Sequence, residues 1–126
     1  KLVPPTLLSQ RAITAASDPQ LRKSERGRLV AMTSSVSRRP RAYWGAYAAS
    51  KAALDALVES YADETEKLAP LKVAIVNPGP TATQMRARAF PGEDPATLKP
   101  PSAVADAIVD LLKQDFETGY RLDVRG

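Results

Sequence analysis

Two short apolar runs, Arg28-Leu29-Val30-Ala31-Met32-Thr33 and Lys72-Val73-Ala74-Ile75-Val76-Asn77, constrain this chain more than any other feature. Neither alternates apolar with polar residues, as a half-exposed strand would. Each is continuous and bounded by turn-forming residues: Gly27 and a serine-rich segment for the first, Pro70 and Pro78-Gly79-Pro80 for the second. That pattern predicts strands buried on both faces. Such strands need a helix layer above and below the sheet. Between them, from Gly45 to about Lys67, Tyr47, Ala48, Leu54, Leu57, Val58 and Tyr61 recur at three- and four-residue steps, with Glu59, Asp63, Glu64 and Glu66 on the wet side. This is the longest predicted helix.

The flanking segments complete the order helix, strand, helix, strand, helix, strand. Pro4-Pro5-Thr6 opens a first helix carrying Leu7, Leu8, Arg11, Ala12, Ala15 and Ala16 at helical spacing. Ser17-Asp18-Pro19 is expected to break or restart it, and a polar continuation from Leu21 to Arg26 stops at Gly27. Ser34 to Trp44 reads as a loop carrying Arg38, Arg39 and Arg41. Thr81 to Pro101, with Pro91, Pro95, Pro100, Pro101 and Gly92, reads as irregular and too long for a tight connection, hence a binding loop. Ser102 is expected to cap a helix from Ala103 to about Lys113, with Val104, Ala107, Ile108, Leu111 and Leu112 as its buried stripe. Tyr120 to Val124 forms a last short strand. The alternation predicts an α/β fold with a parallel sheet, whose ligands sit beyond the carboxyl ends of the strands.

With 126 residues, 44% of them hydrophobic, the chain holds at most one domain and can bury a core. No stretch approaches a membrane span, and residues 1–5 lack the apolar region of a secretory signal, so a soluble cytoplasmic protein is expected. The absence of both Cys and His removes disulfides, thiolate and imidazole metal ligands, and every histidine-based triad. No metal site is expected. Chemistry must run on Ser, Thr, Tyr, Lys, Asp or Glu. The net charge of +4 is spread along the chain, and the Arg38-Arg39-Pro40-Arg41 cluster reads as a solvated loop, leaving nucleic-acid binding a minor alternative.

Three features meet at the expected ligand edge. Tyr47 and Lys51 lie one helical turn apart, a spacing that lets an ammonium stabilise a phenolate and makes the tyrosine a proton donor and acceptor. Ser34 stands 13 positions before Tyr47, where its hydroxyl can donate to a carbonyl oxygen gaining charge. Asn77-Pro78-Gly79-Pro80-Thr81-Ala82-Thr83 is a stiff turn that lets backbone approach a flat ligand. Each has a plain structural alternative: a core tyrosine beside a surface lysine, a hydroxyl satisfying the strand end, and a simple turn.

Taken together, Ser34, Tyr47-Ala48-Ala49-Ser50-Lys51, and Asn77-Pro78-Gly79 with Thr83 resemble the C-terminal half of the short-chain dehydrogenases/reductases. The fuller stretch from Trp44 to Lys51, with Arg41-Ala42 before it, looks most like their YciK-type bacterial oxidoreductases. The resemblance runs over nearly the whole chain from about Thr6. It implies one Rossmann-like, doubly wound domain half over residues 1–126, with three strands and flanking helices. It implies an NAD(P)-dependent oxidoreductase acting on a small-molecule carbonyl or alcohol, without choosing between NAD and NADP. Tyr47 would be the general acid/base, Lys51 would support it and bind the nicotinamide ribose, and Ser34 would orient the substrate carbonyl. Pro78, Gly79, Thr81 and Thr83 would hold the nicotinamide carboxamide and diphosphate, with a substrate loop over about 83–101. Met85, Phe90 and Leu98 in that loop point to a partly apolar substrate, and resemblance hints at a 3-oxoacyl compound or small ketone; the arginines near the site would welcome an acidic one.

The family's glycine-rich phosphate turn, ribose selector, Asn-Ala-Gly strand and catalytic asparagine have no counterpart in these 126 residues. The dinucleotide-binding half is therefore expected to be missing and the chain to be a fragment. The alternative function is an inactive remnant serving as an oligomerisation or interaction module. The family resemblance also implies a homo-oligomer, dimer or tetramer, with Ala53, Ala56 and Leu57 available for an interface.

Overall fold

The computed structural model describes residues 3–68 and 70–124. Helix α1 (Val3–Lys23) leads into strand β1 (Arg28–Met32), helix α2 (Gly45–Thr65) into β2 (Lys72–Asn77), and helices α3 (Gln84–Ala89) and α4 (Pro101–Lys113) into β3 (Tyr120–Asp123). The strands form one parallel sheet in the order β1-β2-β3, with Leu29 opposite Val73 and Val76 opposite Leu122. This is the Rossmann-like architecture expected.

The pleat divides β2 between two cores. Val73 and Ile75 face α2, packing with Ala31, Leu54, Val58 and Ala62. Ala74 and Val76 face the other way, against Leu111 of α4 and Phe116, with Ile108 and Leu122 at the margin. All four β2 side chains are at most 1% exposed, which accounts for the unbroken apolar run. β1 departs from the two-face burial expected of it. It pairs with β2 on one side and has no second neighbour among the described residues, leaving Leu29 and Val30 half-buried and Met32 36% exposed.

Four further expectations are corrected. First, α1 runs unbroken through Pro19. Proline cannot donate to the carbonyl one turn back, but that carbonyl belongs to exposed Ala15, where water can serve it. The inward face of α1 is also polar: Ala12, Ala15 and Ala16 are exposed, whereas Thr14, Ser17, Asp18 and Leu21 are half-buried, and the side chain of Leu7 lies outside the description. Asp18 joins α1 to α2, accepting from the Tyr61 hydroxyl at 2.6 Å and from Arg22 at 2.7 Å. The helix then ends at Lys23 and not at Gly27. Gly27 serves instead as a point of close approach, since a Cβ there would lie 2.5 Å from the Leu21 carbonyl oxygen.

Second, the loop after β1 contains a 3-10 turn, Ser35–Ser37, started by Ser34. Third, the irregular segment contains α3, whose first turn is capped by Thr83 accepting from the Arg86 amide at 3.1 Å, and a 3-10 turn at Pro95–Thr97. Fourth, Ser102 does not cap α4. Pro100 occupies the cap and Pro101 the first helical position, where its fixed φ and missing N–H cost nothing. Its buried stripe is as expected, with Val104 and Leu111 buried and Ala107, Ile108 and Leu112 half-buried.

The Tyr61–Asp18 bond has a pH signature. Burial first, and the bond to Asp18 second, push the Tyr61 phenol up to about 12 from its ordinary value of 10.0. A phenol whose value is raised by folding stabilises the native state fully below pH 10 and loses that contribution between pH 10 and about 12. Urea unfolding across this window is expected to show the advantage of wild type over Tyr61→Phe shrinking as pH rises. A constant difference would show that the phenol does not titrate with folding.

Candidate active site

The carboxyl ends of the three strands gather most of the residues singled out from the sequence. Ser34 follows β1, Asn77 ends β2, and the amide of Val124 after β3 donates to the Asn77 carbonyl at 2.9 Å. Thr33, Ser34, Asn77, Arg38 and Asp123 line a narrow cleft of about 20 Å³ there. Ser34 accepts a long 3.4 Å bond from the Val36 amide. That bond occupies a lone pair and leaves the hydroxyl proton free to donate. The capping role and the chemical role are therefore compatible.

Tyr47 and Lys51 approach the same edge from α2. The Lys51 ammonium lies 5.9 Å from the centre of the Tyr47 ring and 3.5 Å from the Met32 carbonyl, two residues before Ser34. A 3.5 Å contact is weak, so Lys51 keeps donors for another partner. Burial lowers its basicity, and the nearby Asp55 carboxylate opposes that shift.

The turn after β2 is closed on itself. The Gly79 amide donates to Asn77 Oδ1 at 3.1 Å, and the Thr81 hydroxyl to the Gly79 carbonyl at 3.0 Å. Lys99 Nζ donates to the carbonyls of Pro78 at 2.7 Å and Pro80 at 2.9 Å. Gly79 has φ +68°, and a Cβ on it would sit 3.0 Å from Lys99 Nζ and 3.2 Å from the Val124 carbonyl. With its polar groups occupied, the turn offers a ligand flat contact more than hydrogen bonds. Lys99 was not apparent from the sequence, where a single lysine before two prolines carries no signal. It also ties the far root of the loop to the turn, through the Ala82 amide to the Lys99 carbonyl at 2.9 Å.

Thr83 lines a different cleft from Ser34. Its hydroxyl caps α3, and it lines a second cleft of about 300 Å³ inside the loop with Ala82, Ala87, Phe90, Pro95 and Leu98. Arg86 borders that cleft but is held by Glu93 in two bonds of 2.7 and 2.9 Å, which keeps Glu93 below the ordinary carboxylate range. Its charge is already matched. Phe90 links the two regions: it stacks on Trp44 with ring centres 5.9 Å apart and planes 12° apart, and Trp44 meets Tyr47 edge-on at 5.5 Å. Tyr43, just before this cluster, is fully exposed with φ +68°, a strained value for an aromatic residue. Among the described residues no group of three or more Asp and Glu is placed to hold a metal, and no helix is long and apolar enough to cross a membrane.

This arrangement can be set beside known proteins. The short chain dehydrogenase family matches residues 6–94. The chain belongs to that family. The uncharacterized oxidoreductase YciK of Escherichia coli K12 is 44% identical over 115 residues, covering 90% of this chain and 45% of YciK. A solved structure of E. coli yciK superposes with a TM-score of 0.82 at 43% identity, covering 90% of this chain and 47% of that one. A short chain dehydrogenase of Shigella flexneri 2a str. 301, complexed with NADP, superposes with a TM-score of 0.82 at 44% identity, over 90% and 48% of the two chains. One from E. coli CFT073, complexed with NADPH, gives 0.83 at 44%, with the same coverage. The chain thus spans about half the length of these relatives and is YciK-like, as its motifs indicated. Within this member of the family, the Gly79 turn is the part most open to direct test. Gly79→Ala is expected to cost about 1–2 kcal/mol for holding a side chain in the left-handed region. Lys99→Met is expected to cost about 0.5–1.5 kcal/mol by removing the bond to the half-buried Pro78 carbonyl, water serving the exposed Pro80 carbonyl. Urea unfolding of both variants checks this, and wild-type stability in each would refute the closed turn.

Proposed function

We propose that this chain carries the catalytic and nicotinamide side of an NAD(P)-dependent oxidoreductase that reduces a small-molecule carbonyl or oxidises the corresponding alcohol. The observation that supports this most is the placement of Lys51 between the Tyr47 ring and the strand end that leads to Ser34. The free donors of Lys51 suit ribose hydroxyls, and the Cβ-free turn at Gly79 suits a flat ring. The residues present therefore fit the nicotinamide end of the cofactor. The relatives solved with NADP and NADPH make the phosphorylated form the first to test.

In this reading the bound cofactor supplies or accepts the hydride. Ser34 donates its hydroxyl proton in a hydrogen bond to the carbonyl oxygen and holds it in place. Tyr47 transfers its phenolic proton to that oxygen as charge develops on it, and takes it back in the reverse direction. Lys51 stabilises the resulting phenolate and fixes the ribose. Pro78, Gly79 and Thr81 shape the surface beneath the ring, and Thr83 roots the substrate loop. The apolar walls around Phe90 and Leu98 and the pairing of Arg86 favour an uncharged, partly apolar substrate over an acidic one.

NADPH oxidation with diacetyl as a small ketone probe, followed by absorbance at saturating NADPH, tests the assignment, and no turnover by the wild-type chain would contradict it. Tyr47→Phe is expected to lower kcat by about 100-fold or more, the usual loss of a general acid. An unchanged rate would refute the role given to Tyr47.

A second reading, an oligomerisation module, is favoured by Leu8 and Ile13 on α1, which are 60% and 56% exposed. Sedimentation at increasing concentration is expected to show a dimer or tetramer weakened by Ile13→Glu. A monomer throughout would contradict it.

A further inference from the structure

Asp55 is the one charged residue among the described residues that is buried, at 6% exposure. Taking a carboxylate out of water is costly unless it is paired and hydrogen-bonded, and the catalytic reading above gives this one no role. Its partners come from two other parts of the fold. Arg121 of β3 donates to Asp55 Oδ2 at 3.2 Å and also pairs with Glu59 one turn further along α2. Ser37, in the turn after β1, places its hydroxyl 2.9 Å from the same Oδ2.

Ser37 is also the brace of the Ser34 turn. Its hydroxyl lies 2.8 Å, and its amide 3.1 Å, from the Ser34 carbonyl, and Thr33 Oγ1 lies 3.4 Å from that hydroxyl. One hydroxyl proton cannot serve the carboxylate and the carbonyl at once, so Asp55 and Ser34 compete for it and hold Ser37 between them. β3, α2 and the turn bearing Ser34 are thereby joined by a single polar chain, Arg121 to Asp55 to Ser37 to Ser34.

We propose that Asp55 is a positioning residue: acting through Ser37, its carboxylate fixes the turn that presents the Ser34 hydroxyl to the substrate oxygen. The proposal rests on the catalytic reading of Ser34. Asp55 also lies one turn beyond Lys51, so the same carboxylate faces a second member of the set. Lys51 otherwise meets the Tyr47 ring on its own helix and the neutral Met32 carbonyl on β1.

Amide hydrogen exchange and NADPH oxidation with diacetyl, measured on the whole chain, test this with Ser37→Ala, Ser37→Thr and Asp55→Asn. In Ser37→Ala and Asp55→Asn the amides of Val36, Ser37 and Arg38 are expected to exchange about 3- to 10-fold faster, while Ile75 and Val76 keep their protection. Ser37→Thr, which retains the hydroxyl, is expected to restore wild-type exchange. Ser37→Ala is expected to lower kcat about 10-fold with KM for NADPH unchanged, since the turn is misplaced and the ribose contacts are not. Equal acceleration at Ile75 and at the turn would reduce Asp55 to a stabilising residue and overturn the proposal, as would unchanged exchange at the turn. Tyr47→Phe separates the two levels. If it abolishes turnover and Ser37→Ala leaves kcat intact, the positioning role falls alone; if it has no effect on turnover, the catalytic reading falls with it.

Discussion

The structure depends on the burial of β2 on both of its faces. Four consecutive side chains, Val73 to Val76, have lost essentially all contact with water, two into each core. Burying them is worth roughly 1.5–3 kcal/mol for each of the larger side chains. It is available only if α2 covers one face and α4 with Phe116 the other. The parallel pairing then follows, because each connection must cross a face of the sheet before the next strand begins.

That constraint also determines where reactive groups can be. Parallel strands end together, so Ser34, Asn77 and Asp123 are brought to one edge although they are far apart in sequence. The N-terminal turns of α2 deliver Tyr47 and Lys51 to the same edge, because the helix must run back along the sheet to reach β2. The polar groups there are braced from behind by two different cations. Lys99 closes the turn carbonyls after β2, and Arg121 neutralises the buried Asp55 behind the Ser34 turn. Aromatic contact does the rest: Phe90, stacked on Trp44, ties the segment after β2 to the helix that carries Tyr47.

The sequence was most readable where a single local pattern decides the outcome. β2 shows its buried faces as an apolar run, and α2 and α4 show theirs as stripes at helical spacing. It was least readable where long-range contacts override local preference. Pro19 ought to break α1, yet the helix continues because the bond it forfeits lies on the wet side and Asp18, next to it, is anchored by Tyr61 from another helix. Ser102 resembles a cap, but Pro101 at the first helical position moves the start of α4 forward. α3 was hidden by the prolines that follow it. At the site, the spacing of Tyr47 and Lys51 and the place of Ser34 were each weak signals, and only their joint pattern with Asn77-Pro78-Gly79, through its family resemblance, singled them out. Lys99, Asp55 and Arg121 were not visible, because their partners lie 18 to 66 residues away and no periodicity records such pairs.

The central claim is that Tyr47, Lys51 and Ser34 form one centre beside a nicotinamide ring. A crystal structure of the protein with NADPH bound tests it most directly. The account predicts the nicotinamide ribose hydroxyls within hydrogen-bond distance of Lys51 Nζ and Tyr47 Oη, and the ring against the Gly79 turn facing Ser34. A ribose bound away from Lys51, or a ring turned from Ser34, would contradict it.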